Sequence, residues 1–146
     1  MLILRDTREQ NPWQFENAEA ASLKTGDYTL RGLEDKLCIE RKGCVEELAG
    51  NLGRDFERFK RELERMRAFP HRFIICEFSF FDVATYPQSC SSRKAREAAK
   101  MSGKFLVKRL AELQTEYDVH VMFFDSRDEA MMYVESLMKR VYERYK

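Results

Sequence analysis

The sequence predicts an α/β domain in which short strands alternate with helices. Apolar runs of strand length, such as residues 72–78, alternate with segments whose apolar residues recur at the spacing of an amphipathic helix. The length of 146 residues suits one domain with a substantial hydrophobic core. No apolar run approaches the roughly 20 residues of a membrane-spanning helix, so no membrane association is expected.

The first part of the sheet is predicted from several short extended segments. These segments are residues 2–6, 20–24, 27–31 and 36–41. The first of them ends in Asp6 and is followed by a polar loop with Pro12, over residues 7–18. Gly26 permits a turn into the third segment.

Two amphipathic helices follow, divided near residues 50–53. Their apolar residues recur three or four positions apart and so share one face of each helix. The face of the first consists of Val45, Leu48, Ala49 and Leu52, and that of the second of Phe56, Phe59, Leu63 and Met66.

The second half of the chain continues the alternation. Residues 72–78 are the most apolar run and predict a central strand, and residues 84–92 predict a loop. A helix is expected over residues 102–117, another buried strand over residues 119–124, and a final helix up to the end. The core faces of these helices are Leu106, Leu110, Leu113 and Tyr117, and Ala130, Val134, Leu137, Val141 and Tyr145.

The cysteines are interpreted as reduced thiols of a cytoplasmic protein. The four of them form no CxxC pair, and a chain with a proper core does not need a disulfide framework. The two histidines, His71 and His120, lie near no cysteine pair, which argues against a zinc site.

Acidic residues and a lysine are expected to meet at one edge of the sheet. Asp6 and Glu40 each end a strand, and Asp27 begins one. The twelve residues between Asp27 and Glu40 suffice for a hairpin that brings these strand ends together. Lys42 lies on the same face of its strand as Glu40. Carboxylates of this kind hold Mg²⁺, the metal lowers the pKa of a bound water, and a lysine offsets charge in the transition state.

The spacing alone leaves simpler interpretations open. Asp6 could merely cap a turn after its strand. Glu40 and Lys42 could form a surface ion pair worth about 0.5 kcal/mol. Arg8 and Glu9 could pair only with each other or with the nearby acids. The surrounding motifs favour a site.

These motifs occur in an order that resembles the XPF family of structure-specific endonucleases, within the PD-(D/E)xK superfamily. They are "DTRE" (6–9), "TGDY" (25–28), "IERK" (39–42), "GR" (53–54) and "ICEF" (75–78). The resemblance is good over residues 2–80, and over residues 101–145 it rests on the order helix, strand, helix. It implies a restriction-endonuclease-like fold, a central mixed β-sheet flanked by helices, in a single nuclease domain over residues 1–146.

The resemblance also implies a role for each charged residue of the motifs. The metal-binding residues would be Asp6, Asp27 and Glu40, with Mg²⁺ or Mn²⁺ as the cofactor. The catalytic residues would be Asp27, Glu40, Arg41 and Lys42. The supporting residues would be Arg8, Glu9 and Glu46, where Glu46 stands at a position at which the family motif has an aspartate.

The charge distribution points to a surface for DNA. Between Arg93 and Arg109 there are seven basic residues and one acid, a net charge of +6, whereas the rest of the chain carries −5. A local basic patch on an acidic body is the electrostatic footprint of a nucleic-acid partner. The candidate DNA-binding residues are Arg8, Arg54, Arg58, Arg93, Arg96, Lys100 and Lys104.

Further partners follow from the resemblance. Members of the family usually carry a helix-hairpin-helix module for DNA and dimerise through the nuclease domain. This sequence contains no such module, so we expect a partner subunit to supply it or the basic patch to replace it. A homodimer would use the outer side of the last helix, which we expect to expose Met131, Met132, Met138 and Tyr142.

The residues therefore predict metal-dependent hydrolysis of phosphodiester bonds, and the resemblance implies a DNA endonuclease that acts at branched or flapped DNA. It would be a bacterial or phage-like intracellular protein of DNA repair or recombination. The alternative is a non-catalytic, nuclease-like module for DNA binding or dimerisation. A third possibility is a restriction-type nuclease that cuts plain duplex at one sequence.

Overall fold

Six strands form a single mixed sheet in the computed structural model, which describes residues 1–146. The strands are β1 (Ile3–Asp6), β2 (Ala18–Ala21), β3 (Tyr28–Leu30), β4 (Leu37–Lys42), β5 (His71–Cys76) and β6 (His120–Phe123). Their order across the sheet is β2-β1-β3-β4-β5-β6. The pairs β1–β3 and β3–β4 are antiparallel, and the other three pairs are parallel. The mixed sheet predicted from the sequence is therefore confirmed.

Helices cover both faces of this sheet. They are α1 (Val45–Leu52), α2 (Phe56–Met66), α3 (Phe80–Ala84), α4 (Arg93–Ala98), α5 (Gly103–Tyr117) and α6 (Arg127–Tyr145). One core cluster joins α1, α2 and α5 to Cys38, and a second joins α6 to Leu37 and Ile39. Successive residues of a strand point to opposite faces, so β4 contributes to both clusters. None of the helices combines the length and the apolar composition needed to cross a bilayer.

Most predicted elements occur within a few residues of their expected bounds, and the additions are the short helices α3 and α4. The sequence interpretation continued the central strand to residue 78, whereas β5 ends at Cys76 and α3 begins after Ser79. Ser79 and Asp82 form a reciprocal capping box, in which each side chain accepts a hydrogen bond from the other residue's backbone N–H. This cap favours a helix over a continued strand, although the two phenylalanines that follow it are apolar.

The final helix corrects three expectations. Met138, expected on its outer side, is fully buried, and Leu137 and Tyr145, expected in the core stripe, are only partly buried. The buried stripe runs through Ala130, Val134, Met138 and Val141. A stripe that advances by four, four and three residues follows the helical period of 3.6, and position 138 then falls on its centre.

Candidate active site

Three strands meet where the sequence places its acids. The backbone N–H of Asp6 donates to the carbonyl of Asp27 at 2.8 Å, and that of Asp27 donates to the carbonyl of Ile39, also at 2.8 Å. The chain enters Asp27 through Gly26, which has a φ of +82° and so adopts a conformation that favours glycine. A side chain there would also collide with Sγ of Cys38, 2.6 Å from the position of a Cβ. The turn therefore fixes Asp27 beside β4.

A polar cavity of about 330 Å³ opens at this point. Its charged lining comprises Asp6, Arg8, Lys24, Asp27, Glu40, Lys42, Glu62 and Arg65. The structure thus brings together five predicted site residues, namely Asp6, Arg8, Asp27, Glu40 and Lys42. Lys24, Glu62 and Arg65 were not predicted.

Asp27 and Glu40 are the most closely coupled acids of the cavity. Burial, together with a hydrogen bond to Asp27 and the negative charge of Asp27, raises the pKa of Glu40 well above its usual value. The second acid, Asp27, accepts a hydrogen bond from the backbone N–H of Arg41 at 2.8 Å. The two adjacent carboxylates have only this one backbone donor. The remaining negative charge would be offset by a proton or by a cation.

The Asp27–Glu40 pair fits a divalent cation with a mostly aqueous shell. Its ligands are hard carboxylate oxygens, which Mg²⁺ prefers, and the mutual repulsion of the two acids is the feature that a cation would relieve. No group of three or more histidine, cysteine, aspartate or glutamate side chains is gathered tightly enough to hold a metal by itself. Mg²⁺ commonly uses one or two carboxylates and completes its shell with water and substrate phosphate.

Lys42 lies beside this pair on the same face of β4. Its Nζ is 3.9 Å from Oε2 of Glu40 and 5.1 Å from the centre of the Phe59 ring. The Lys42 side chain is 8% exposed, so its charge acts in a poorly hydrated environment. The lysine is held by core packing, with its ammonium group close to the carboxylate of Glu40.

Asp6 is already engaged within the protein. Its Oδ2 accepts from Nε of Arg8 at 2.7 Å, and its Oδ1 accepts from the backbone N–H of Leu23 at 3.0 Å. Burial works to raise the pKa of Asp6, but these hydrogen bonds and the charge of Arg8 outweigh it and leave the pKa below its usual value. Asp6 is therefore less free to bind a metal than Asp27 and Glu40 are.

Arg41 and Glu9 lie on the opposite face of the sheet from Glu40 and Lys42. The Arg41 guanidinium pairs with Glu77 at 2.7 Å and with Glu9 at 3.0 Å, and it lies 5.2 Å from the centre of the buried Trp13 ring. Burial and the charge of Asp27 raise the pKa of Glu9 despite its pairing with Arg41. These residues form a half-buried ion-pair cluster that lines a separate cavity of about 660 Å³, so Arg41 does not line the cavity that holds the carboxylate pair.

Glu46 lies outside the cavity. Its Oε1 accepts a hydrogen bond from the backbone N–H of Ser91 at 3.0 Å. Burial works to raise its pKa, while the bonds from Ser91, Cys44 and Cys90 lower it below the usual value. Glu46 therefore fastens the loop before α4 to the start of α1.

The other predicted DNA-binding residues are exposed or half-buried around α2, α4 and α5. Arg54 and Arg58 pair weakly with Asp55 at 3.6 Å and 3.3 Å. On α4, Arg93 pairs with Glu97 at 2.8 Å and Arg96 donates to the carbonyl of Cys90. Lys100 and Lys104 are exposed and form no ion pair.

The cavity residues missed by the sequence reasoning come from α2 and from the turn before Asp27. Glu62 stands three residues after Phe59 and four before Met66, at the edge of the apolar stripe. A residue at such an edge faces the boundary between core and solvent, and this position is the signal that could have identified it. Which strand end it faces depends on how α2 packs, and that is not visible in the sequence.

Comparison with known proteins identifies relatives of the fold. The family model of the ERCC4 domain matches residues 5–137. The chain is similar to the solved structure of XPF from Aeropyrum pernix, with 22% identity and a TM-score of 0.69 over 99% of this chain and 66% of that one. It is also similar to XPF from Aeropyrum pernix in complex with DNA, with 20% identity and a TM-score of 0.69 over 97% of this chain and 65% of that one.

These comparisons bear on the fold. The chain spans just under two thirds of the length of the two solved structures. Their likeness confirms the predicted restriction-endonuclease-like architecture. No curated protein matches the sequence.

Proposed function

The chain belongs to the ERCC4 domain family, and from this premise we propose that it is a metal-dependent DNA endonuclease acting at branched or flapped DNA. Membership confirms the resemblance to XPF drawn from the motifs. The observation that carries the proposal is the Asp27–Glu40 pair with Lys42 beside it in one polar cavity. The residues 1–146 would act as one nuclease domain, with Mg²⁺ or Mn²⁺ as the cofactor.

In this proposal the cation is held by Asp27 and Glu40, while Asp6 supports the site from its bonds to Arg8 and Leu23. A bound Mg²⁺ or Mn²⁺ would polarise the scissile phosphate and lower the pKa of an attacking water. Lys42 would orient that water or offset the negative charge that grows on the phosphate oxygens. Its burial against Phe59 supports this role because a fixed charge in a poorly hydrated site acts more strongly than a solvated one.

Arg8 and Arg65 would receive the phosphates of the substrate strand at the cavity mouth. Arg8 is bonded to Asp6 yet 75% exposed, and Arg65 is exposed on α2. Exposed guanidinium groups at the edge of an acidic cavity would draw the DNA backbone in without occupying the metal position. A DNA partner is supported by the likeness to an XPF structure in complex with DNA.

The test is a cleavage assay with end-labelled three-prime flap, splayed-arm, four-way-junction and plain duplex DNA. Each substrate is incubated with Mg²⁺, with Mn²⁺ and with EDTA. Metal-dependent cutting near the branch, lost in Asp27→Asn, Glu40→Gln and Lys42→Ala, supports the proposal. Glu112→Gln, a change of the same kind at an exposed position of α5, serves as the matched control.

Other results would assign another function. Cutting of plain duplex at one sequence would indicate a restriction-type nuclease. DNA binding without cleavage of any substrate, and without a metal-dependent rise in Tm, would indicate a non-catalytic module. A homodimer or a partner subunit that supplies a DNA-binding module is part of the proposal, and cleavage that appears only after such a partner is added would support it.

A further inference from the structure

A second cavity, of about 560 Å³, lies between the α1–α2 turn and the segment that joins α4 to α5. It shares no lining residue with the polar cavity of the candidate active site. We call it the basic groove. Its apolar side is formed by Tyr86, Met101 and Phe105, and its cationic side by Arg54, Lys100 and Arg109.

Arg109 is the unusual residue of the basic groove. Its guanidinium lies 3.7 Å from the centre of the Phe56 ring and 4.8 Å from that of Phe105. The same guanidinium makes no hydrogen bond or ion pair with any residue of the chain. A guanidinium that lies against two aromatic rings, with its donors unused, is preorganised to bind an anion.

The segment beside the groove has no evident role in the core. Helix α4 contributes no buried residue, yet it carries Arg93, Lys94 and Arg96. The single acid of this helix, Glu97, is paired with Arg93. The only acid lining the groove is Glu46, which already accepts a hydrogen bond from Ser91. The positive charge of the groove and of α4 is therefore not balanced locally, and it complements a polyanion.

We propose that the basic groove binds an unpaired DNA strand, with a base against Phe105 and a phosphate on Arg109. Single-stranded nucleic acid is bound by surfaces that combine cations with accessible aromatic faces, because only unpaired bases expose their π faces for stacking. In a duplex these faces are covered by neighbouring base pairs, so the apolar side of the groove would have no use.

This inference rests on the proposed nuclease function and adds to it the path of one arm of a branched substrate. Helix α2 connects the two cavities, since Phe56 underlies Arg109 and Glu62 lines the polar cavity. Glu62 follows Phe56 by six positions, which is about 9 Å along a helix axis. A stacked single strand spans that distance with about three nucleotides. When one arm of a branched DNA lies in the groove, the branch point therefore lies close to the polar cavity.

The test measures binding separately from cleavage. Binding is measured by the fluorescence anisotropy of a labelled oligo-dT of twelve nucleotides and of a duplex of equal length. Both titrations are carried out in EDTA over a range of salt concentrations. Arg109→Met keeps an unbranched side chain on Phe56 and removes the charge. Arg140→Met is the matched control, because Arg140 is 82% exposed on α6, on the other face of the sheet.

The expected result is a selective loss of single-strand binding. Arg109→Met should bind oligo-dT about tenfold more weakly than the wild type, and its plot of log K against log salt should be shallower by about 0.7. Arg140→Met should match the wild type on both DNAs. Equal affinity of wild type and Arg109→Met for oligo-dT, or an equal loss on duplex, would overturn the inference.

A second readout detects stacking directly. An oligonucleotide carrying 2-aminopurine should lose fluorescence on binding, and Phe105→Leu should reduce that quenching while it weakens binding roughly five- to tenfold. Quenching that is unchanged in Phe105→Leu would overturn the assignment of the base to Phe105. A protein that binds in this way but never cuts would refute the proposed function alone, and one that cuts without binding single strands would refute only this inference.

Discussion

Arg41 contacts Asp27 through its backbone and an acidic pair through its side chain. Its backbone N–H donates to Oδ2 of Asp27 at 2.8 Å. Its guanidinium is fixed on the opposite face by Glu77 at 2.7 Å and Glu9 at 3.0 Å. The arginine of the "ERK" motif is thus placed to position a carboxylate, and its side chain does not line the polar cavity.

We therefore predict that Arg41→Met lowers both stability and cleavage. Removing one partner of a buried ion pair leaves Glu77 and Glu9 uncompensated, which costs about 3 kcal/mol of the free energy of unfolding. The resulting shift of β4 should displace Asp27 and slow single-turnover cleavage by about 100-fold. Urea denaturation and a single-turnover assay measure the two effects.

A phosphate-binding role for Arg41 makes a different prediction for the kinetics. If the guanidinium contacted substrate, Arg41→Met would raise KM for the DNA, whereas a positioning residue acts on kcat. Replacing both partners, in Arg41→Met/Glu77→Met, should recover much of the lost stability, because the unpaired charge is then gone. Failure of the double variant to recover any stability would contradict the positioning role.

The Asp27–Glu40 pair predicts how the protein responds to metal. Glu40→Gln removes one of two adjacent, partly buried carboxylates, and a glutamine can still donate to Asp27. We expect its Tm in EDTA to rise by about 3 °C relative to the wild type. The wild type should gain stability when Mg²⁺ or Mn²⁺ is added, since a ligand that binds only the folded state stabilises it.

In Glu40→Gln that metal-dependent gain should be strongly reduced, because one of the two ligands has lost its charge. Differential scanning fluorimetry across a titration of each metal measures both effects, with Glu112→Gln as the control. A variant that melts below the wild type in EDTA, or that responds equally to metal, would show that the two carboxylates do not form a shared cation site.

The position of Arg41 was within reach of sequence reasoning, whereas that of Glu62 was not. Side chains alternate along a strand, so the rule that places Glu40 and Lys42 on one face also places Arg41 on the other. The family resemblance implied a catalytic role for Arg41 beside Glu40 and Lys42, but it did not indicate which face of the strand the Arg41 side chain occupies. Glu62 reaches the polar cavity through the packing of α2 on β4, which depends on contacts between residues far apart in sequence.

For Glu46, too, the sequence predicts the position in the chain but not the contacts of the side chain. The motif spacing puts this residue in the first turn of α1, and the structure confirms that position. Its side chain, however, is directed by the loop before α4, through the N–H of Ser91. The sequence therefore predicts the strand ends and the acids on them. It does not predict the contacts that neighbouring helices and loops make with each side chain.

Glu46 predicts a pH-dependent contribution to stability. Its pKa in the folded protein lies below the value of 4.5 for the free side chain, so the ionised form is favoured by folding. The stabilisation is present above pH 4.5 and is lost as the pH falls through the lower pKa of the folded state. We expect Glu46→Gln to be less stable than the wild type by about 1 kcal/mol at pH 7.

Thermal melts of both proteins from pH 7 down to pH 3 measure this difference. The gap in Tm should stay constant at neutral pH and close at the acidic end. A gap that persists at the lowest pH would indicate that packing of the side chain, and not its charge, holds the loop.

Gly103 allows α5 to pack against the end of α3. Its backbone N–H donates to the carbonyl of Tyr86 at 2.8 Å, and a Cβ at this position would lie 2.5 Å from the carbonyl carbon of Ala84. Alanine is normally the better residue within a helix, by about 1 kcal/mol. Here the overlap with backbone atoms, which cannot rotate away, should reverse that preference.

We predict that Gly103→Ala lowers the free energy of unfolding by about 2–4 kcal/mol. Gly43→Ala is the matched control, since a Cβ there meets no atom within 4 Å, and it should be close to neutral. Denaturant unfolding of both variants gives the comparison. Because Tyr86 and Phe105 line the basic groove next to this contact, Gly103→Ala should also weaken oligo-dT binding. A Gly103→Ala variant as stable as the wild type would contradict the prediction, because it would show that α3 and α5 can move apart at no cost in free energy.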